Sequence, residues 1–188
     1  MAEKRSYDLS REMIDILAAE FDPRKAVESF AVALKDASTG GREQVAAGVF
    51  GDYGRRWAGR TIELGEKYVE RTYEILKEAA KKTGRLAFPH IPQRFVEIGY
   101  LATQPVEFLN IVINNHYDLV YRVDRCATYD AVKEICGEEV AAEMPCRHAC
   151  TAFSGHICRA LKMNVDFKVE ALYNSSGYCQ FRATNRDT

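Results

Sequence analysis

The sequence predicts an α+β fold: N-terminal helices packed on an antiparallel sheet of about five strands, with a C-terminal helix–hairpin unit. Apolar residues recur at helical spacing through the first half of the chain, whereas strand and turn patterns gather in the second half. Helices and strands do not alternate regularly, which argues against a parallel doubly wound sheet. The 188 residues suit one domain with a helical extension, so we place a helical lead-in at residues 1–41 and an α+β domain at residues 42–188.

The lead-in is predicted to form two helices. Ser6 or Asp8 can cap the first, and Asp22 can cap the second with Pro23 at its first position. Glycines at 40 and 41 end the second helix. Because the apolar stripe of a helix must be buried somewhere, the lead-in is expected to cover one side of the core. The alternative is a dimerisation arm, which would make the protein a homodimer.

A long amphipathic helical region is predicted from residue 42 to Gly84. We expect residues 50–54 to interrupt it, because two glycines so close together cost about 1 kcal/mol each inside a helix. The charged face beyond the interruption is interpreted as a solvated surface. Trp57 and Tyr68 lie on the apolar face, where aromatic rings are core residues by default. The alternative is that they line an apolar ligand pocket, together with Tyr121.

The predicted sheet occupies most of the second half of the chain. Residues 95–101 and 108–113 are predicted strands, the dipeptide Asn114-Asn115 is a predicted turn, and residues 116–123 return as the next strand. A second strand–turn–strand pattern ends the chain at residues 165–182. These strands make up the predicted antiparallel sheet.

The composition excludes several functional classes. The net charge is −1, and no run of Lys and Arg favours nucleic acid or an anionic membrane surface. No apolar stretch resembles a signal peptide or a spanning helix. We therefore expect a cytoplasmic protein that binds neither nucleic acid nor membrane. Thiols in that compartment are reduced, so metal binding, catalysis or burial explains cysteines better than disulfides do.

Cysteine is concentrated near the C-terminus. Two predicted helices, the second bent or restarted by Pro145, carry most of these thiols. All six cysteines lie in the last third of the sequence: Cys126, Cys136, Cys146, Cys150, Cys158 and Cys179.

The spacing of these cysteines leaves several interpretations open. Cys146 and Cys150 lie one turn apart on one helix face. With Cys158 and Cys179, or with His148 or Glu170, they could supply the ligands of a zinc ion, although no tight Cys-x-x-Cys pair is present. A nucleophilic Cys150 with its pKa lowered by the neighbouring His148 or Arg147 is a second interpretation. Residues two apart on a helix do not face each other, however. Partly buried free thiols are a third interpretation, and a redox-sensing protein in which mild peroxide cross-links these helix cysteines is a fourth.

Four segments of the C-terminal third together resemble a known family. Residues 125–131 precede a helix, Pro145-Cys146 follows, and residues 165–170 and 177–182 form the hairpin. This combination resembles the L-2-amino-thiazoline-4-carboxylic acid hydrolase-like family. It is also similar, more distantly, to the 4-vinyl-reductase-type small-molecule-binding domains. The resemblance implies that residues 42–188 form a ligand-pocket domain, in which helices and an antiparallel sheet enclose a mostly apolar pocket.

The resemblance implies two functional classes for a small-molecule-binding protein. A hydrolase would open a cyclic C–N or C–S compound with water, and we assign its catalytic residues as Cys146, His148 and Cys150. The alternative is a non-catalytic binding or sensory module for an apolar or aromatic molecule, with or without zinc. Metal ligands implied by the resemblance are Cys126, Cys146, Glu170 and Cys179.

Overall fold

The computed structural model describes residues 15–67, 107–115 and 117–186. The helices are α1 (15–20), α2 (Pro23–Lys35), α3 (Arg42–Lys67), α4 (Ala127–Cys136), α5 (Glu138–Ala142), α6 (Arg147–Ala160) and α7 (Tyr173–Ser176), with a 3₁₀ turn at Thr39–Gly41. The strands are β1 (Glu107–Asn114), β2 (Asp118–Cys126), β3 (Val165–Ala171) and β4 (Cys179–Asn185).

The strands form one antiparallel sheet in the order β1-β2-β4-β3. The predicted α+β class is therefore confirmed, with helices preceding the sheet. The described part of the chain contributes four strands, whereas about five were predicted. One of the predicted strands, at residues 95–101, lies outside the described residues.

Several predicted chain reversals and caps are confirmed. The Asp22 carboxylate accepts a hydrogen bond from the Arg24 amide at 2.9 Å, and Pro23 begins α2. Gly137 ends α4 with a φ of 91°, a conformation that favours glycine. The Asn115 side chain accepts hydrogen bonds from two backbone amides of the β1–β2 turn.

The predicted interruption of α3 at residues 50–54 is wrong, because the helix runs unbroken over 26 residues. Gly54 lies where α3 crosses α6: a Cβ atom there would be only 2.2 Å from the backbone oxygen of Ala149. A glycine inside a helix costs stability through its low helix propensity. At Gly54 this cost is offset because the missing side chain lets α3 and α6 approach closely. The glycine therefore marks a helix–helix contact and not a helix end.

Helix α6 lies between α3 and the sheet. The Phe153 ring is 4.4 Å from the Trp57 ring of α3, measured between centroids. On the sheet side, the Ser154 hydroxyl forms a 2.8 Å hydrogen bond with the hydroxyl of Tyr121 on β2. The Tyr121 ring stacks on Phe181 of β4, so α6 is enclosed by aromatic side chains from both neighbours. The middle of α6, around Phe153 and Ser154, is consequently held in the core.

The described part of the lead-in packs on the same core. Leu17 and Phe30 are almost fully buried, and the Phe30 ring lies 4.9 Å from that of Phe50 in α3. The Tyr53 hydroxyl donates a 2.8 Å hydrogen bond to the Phe21 carbonyl. This packing fits the interpretation of the lead-in as a cap on the core. The boundary at residue 41 and the homodimer stay predictions.

Across the described ranges, no helix has both the length and the apolar character that crossing a membrane requires. The cytoplasmic location stays a prediction.

Candidate functional site

Four of the six cysteines come together where β2 ends and α6 begins. Cys126 is the last residue of β2, and its sulfur accepts a 3.3 Å hydrogen bond from the Tyr129 amide, which caps α4. Cys146 directly precedes α6, and an interaction with the Cys126 side chain is the largest cause that raises the pKa of its thiol. Cys150 and Cys179 lie close enough to act on it electrostatically. The sequence predicts that Cys146 and Cys150 lie on one helix face. Cys126 and Cys179 come close to them only through the fold.

The environment of Cys146 keeps its thiol protonated. Its interaction with Cys126 and its burial together raise the pKa of Cys146 well above the usual value. The thiolate, and not the thiol, is the reactive nucleophile and metal ligand. The arrangement therefore argues against a thiolate at Cys146 near neutral pH.

Glu170 lies apart from the thiol cluster. Its carboxylate accepts hydrogen bonds from Gln180 at 2.9 Å and from Arg182, both of which point to the face of β4 opposite Cys179. The fold thus brings together three of the metal ligands that the resemblance implies, Cys126, Cys146 and Cys179. The fourth implied ligand, Glu170, is not among them. Within the residues that the structure describes, no three His, Cys, Asp or Glu side chains are arranged to hold a metal ion.

Two cysteines have no part in the cluster. Burial raises the pKa of Cys158 to about 11, and it raises the pKa of the half-buried Cys136 as well. Both environments match the interpretation of buried, protonated thiols that behave as small apolar side chains.

His148 pairs with a glutamate instead of a cysteine. Its Nε2 lies 3.0 Å from Oε1 of Glu43, and the same oxygen accepts a 2.5 Å hydrogen bond from Arg147. Arg147 also donates to the carbonyls of Glu143 and Met144 at the end of α5. Glu43, in the first turn of α3, therefore holds two side chains at the start of α6. Nothing in the sequence marks Glu43, because it lies more than a hundred positions from its partners.

Arg147 and His148 line a surface groove of about 570 Å³ between the start of α6 and the end of β3. This volume falls in the range of roughly 300–1,000 Å³ that is typical of small-molecule sites. The lining combines a cation, an imidazole, a carboxylate and hydroxyls with apolar side chains. The complete lining is Arg147, His148, Thr151, Val169, Glu170, Ala171, Leu172, Ser175 and Ser176.

The predicted pocket aromatics do not line this groove. Trp57 is 3% exposed between Tyr53 and Phe153, and its buried indole Nε1 has no hydrogen-bond partner among the residues that the structure describes. Tyr121 contacts α6 through the hydrogen bond between its hydroxyl and that of Ser154. Tyr68 lies outside the described residues. Trp57 therefore takes the core position that its helical spacing favours by default, and Tyr121 is partly buried against the same core.

No protein-family model matches the chain, and no curated protein or solved structure shows significant similarity to it. The resemblance of the C-terminal third therefore stays a prediction, and the function is argued from the groove.

Proposed function

We propose that the protein binds a small molecule in the groove between the start of α6 and the end of β3, as a member of the thiazoline-carboxylate-hydrolase-like superfamily. The observation that carries this proposal is the groove itself, with its volume of about 570 Å³ and its mixed lining. The resemblance of the C-terminal third supports it independently, because it implies a small-molecule pocket in a domain of this class.

The lining defines the chemistry of the ligand. Val169 and Leu172 offer apolar surface on one side, while Arg147, His148 and Thr151 offer polar groups on the other. Specific small-molecule sites combine apolar surface with a few placed polar groups. A small ring carrying a polar or acidic substituent fits this lining.

Binding can be tested by calorimetry with L-2-amino-thiazoline-4-carboxylic acid as the probe. Ser176→Trp, which places an indole in the groove, is expected to weaken binding at least tenfold, because the indole takes up volume that the probe needs. Ser29→Trp, on the exposed surface of α2, is the matched control and should bind as wild type does. Equal affinity of all three proteins for the probe would show that the groove is not the binding site. Absence of binding to wild-type protein would show that compounds of this class are not its ligands.

Hydrolysis is a second candidate function, and the Glu43–His148 pair is the observation that favours it. A carboxylate that holds one imidazole nitrogen fixes the ring and its tautomer, leaving the other nitrogen to accept a proton. In the reaction, His148 takes a proton from water as the water oxygen bonds to the ring carbon of the substrate. The ring C–N or C–S bond then breaks, and the proton passes to the leaving atom.

Mass spectrometry of the incubated probe distinguishes hydrolysis from binding alone, since ring opening adds the mass of one water. The hydrolytic proposal expects turnover by wild type and by the control Cys136→Ser, and loss of turnover in His148→Gln. Loss in Cys146→Ser with activity retained in His148→Gln would indicate a thiol mechanism instead. An unchanged probe that still binds would leave a non-catalytic module as the function.

A further inference from the structure

The two walls of the groove are attached to the same segment of backbone. One wall begins with Arg147 and His148 of α6, and the other contains Ser175 and Ser176 of α7. We propose that Asn174 of α7 is a positioning residue: it fixes the spacing of the two walls through the end of α5, and thereby the size of ligand that the groove accepts. This role deepens the proposed function and rests on it, because it concerns the same groove.

Three consecutive carbonyls at the end of α5 accept side-chain hydrogen bonds from the two walls. The Asn174 amide Nδ2 donates to the carbonyl of Ala142 at 2.7 Å. From the other wall, Arg147 Nη1 donates to the carbonyls of Glu143 and Met144, at 2.6 and 3.1 Å. The last carbonyls of a helix have no partner within the helix, so they are available to such donors. The end of α5 therefore joins the two walls to each other.

The end of α5 is itself held in place by the rest of the fold. Ala141, in its last turn, is fully buried, and the side chain of Met144 directly after the helix is only 1% exposed. On the outside, Arg42 at the start of α3 pairs with Glu139 at 3.2 Å and with Glu143 at 3.0 Å. Because α5 is fixed from the core and from α3, its carbonyls give both walls a common reference position.

The wall formed by α7 depends on this attachment. With four residues, α7 is too short to be stable alone. Its other contact is the ring of Tyr173, which lies 4.8 Å from that of Tyr129 on α4. Asn174 is exposed and does not line the groove, so replacing it leaves the groove surface chemically unchanged. Without the Asn174 bond, the tyrosine contact keeps α7 on α4, but α7 moves away from α5 and the groove widens.

The first test compares two probes by calorimetry: L-2-amino-thiazoline-4-carboxylic acid and its larger dihydrothiazine homologue. Asn174→Leu keeps the side-chain volume but removes the donor, so it is expected to bind the thiazoline about three- to tenfold more weakly, the range that one hydrogen bond supports. Its affinity for the homologue should be kept or should rise. Ser29→Ala is the control, since it removes an exposed hydrogen bond to the Lys25 carbonyl in α2, whose residues do not line the groove. Unchanged binding, or equal weakening of both probes as a merely structural role predicts, would overturn the proposal.

The second test needs no ligand: amide hydrogen exchange of the free, full-length protein, followed by mass spectrometry. Asn174→Leu is expected to raise exchange about twofold or more in both walls, at residues 147–151 and 172–177, with β2 unchanged. A rise confined to residues 172–177 would show that α5 does not join the walls and would overturn the proposal. If wild-type protein bound neither probe, the ligand class of the proposed function would be rejected, and the exchange result alone would decide the role of Asn174.

Discussion

Replacing Gly54 with alanine tests the crossing of α3 and α6 most sharply. The new Cβ would lie 2.2 Å from the Ala149 oxygen, 2.9 Å from its carbonyl carbon and 3.0 Å from its Cα. Ordinary contact begins at 3.4 Å, so the helices must separate by 3.4 − 2.2 = 1.2 Å along this direction. A gap of this size between α3 and α6 would lose a substantial fraction of the dispersion energy between their packed side chains.

The expected magnitude follows from two opposing effects. Overpacking costs about 1–3 kcal/mol, and because Gly54 meets backbone atoms, we take the upper end. The higher helix propensity of alanine offsets about 1 kcal/mol of this cost. We therefore expect Gly54→Ala to lower the free energy of unfolding by about 2 kcal/mol.

Urea unfolding followed by fluorescence provides the assay for this substitution. The single tryptophan, Trp57, lies against Phe153 at the same helix contact and reports on it directly. Gly48→Ala is the matched control, because a Cβ there would meet nothing within 4 Å; it should be neutral or stabilising by up to about 1 kcal/mol. If Gly54→Ala were as stable as Gly48→Ala, the close helix crossing would be refuted.

Three further substitutions or treatments probe the sheet and the thiols. Ser154→Ala removes the partly buried hydrogen bond to Tyr121 of β2 and should lower the free energy of unfolding by about 1 kcal/mol; an unchanged urea midpoint would contradict this. The Thr184 hydroxyl and then Arg182 lower the pKa of Asp118 by hydrogen-bonding its carboxylate, and Arg182 and then Gln180 do the same for Glu170. A lowered folded-state pKa contributes stability that is present above the unfolded values of about 4 and is lost as pH falls below them. The deficit of Arg182→Met relative to wild type should therefore shrink in acid, and a pH-independent deficit would argue against this linkage. Native alkylation of Cys158 should rise with pH to about 11, and a plateau near the ordinary thiol pKa would contradict its burial.

Local signals in the sequence were sufficient for several elements of the fold. Asp22 followed by Pro23 marks a helix start, and Gly137 marks a helix end, because both depend only on backbone chemistry within one turn. The hairpins follow from alternating strand patterns with turn residues between them. These features are confirmed since they depend on neighbours along the chain.

Other features depend on contacts between distant segments and could not be predicted. The glycines of α3 look like a break when judged by propensity, and only the backbone of Ala149 shows why Gly54 is needed. Glu43 reaches His148 across most of the chain, so no spacing pattern contains the pair. The sequence did identify the density of thiols, but the interaction between Cys126 and Cys146 emerges only when β2 and α6 are brought together.

The measurement that tests the account most directly is a residue-resolved NMR titration of the full chain with L-2-amino-thiazoline-4-carboxylic acid. Amide signals of the groove, at the start of α6 and the end of β3, are expected to shift together and to saturate with one affinity. The indole signal of Trp57, buried on the α3 side of α6, should shift least. Saturable shifts centred on Trp57 with the groove unchanged would contradict the groove as the binding site.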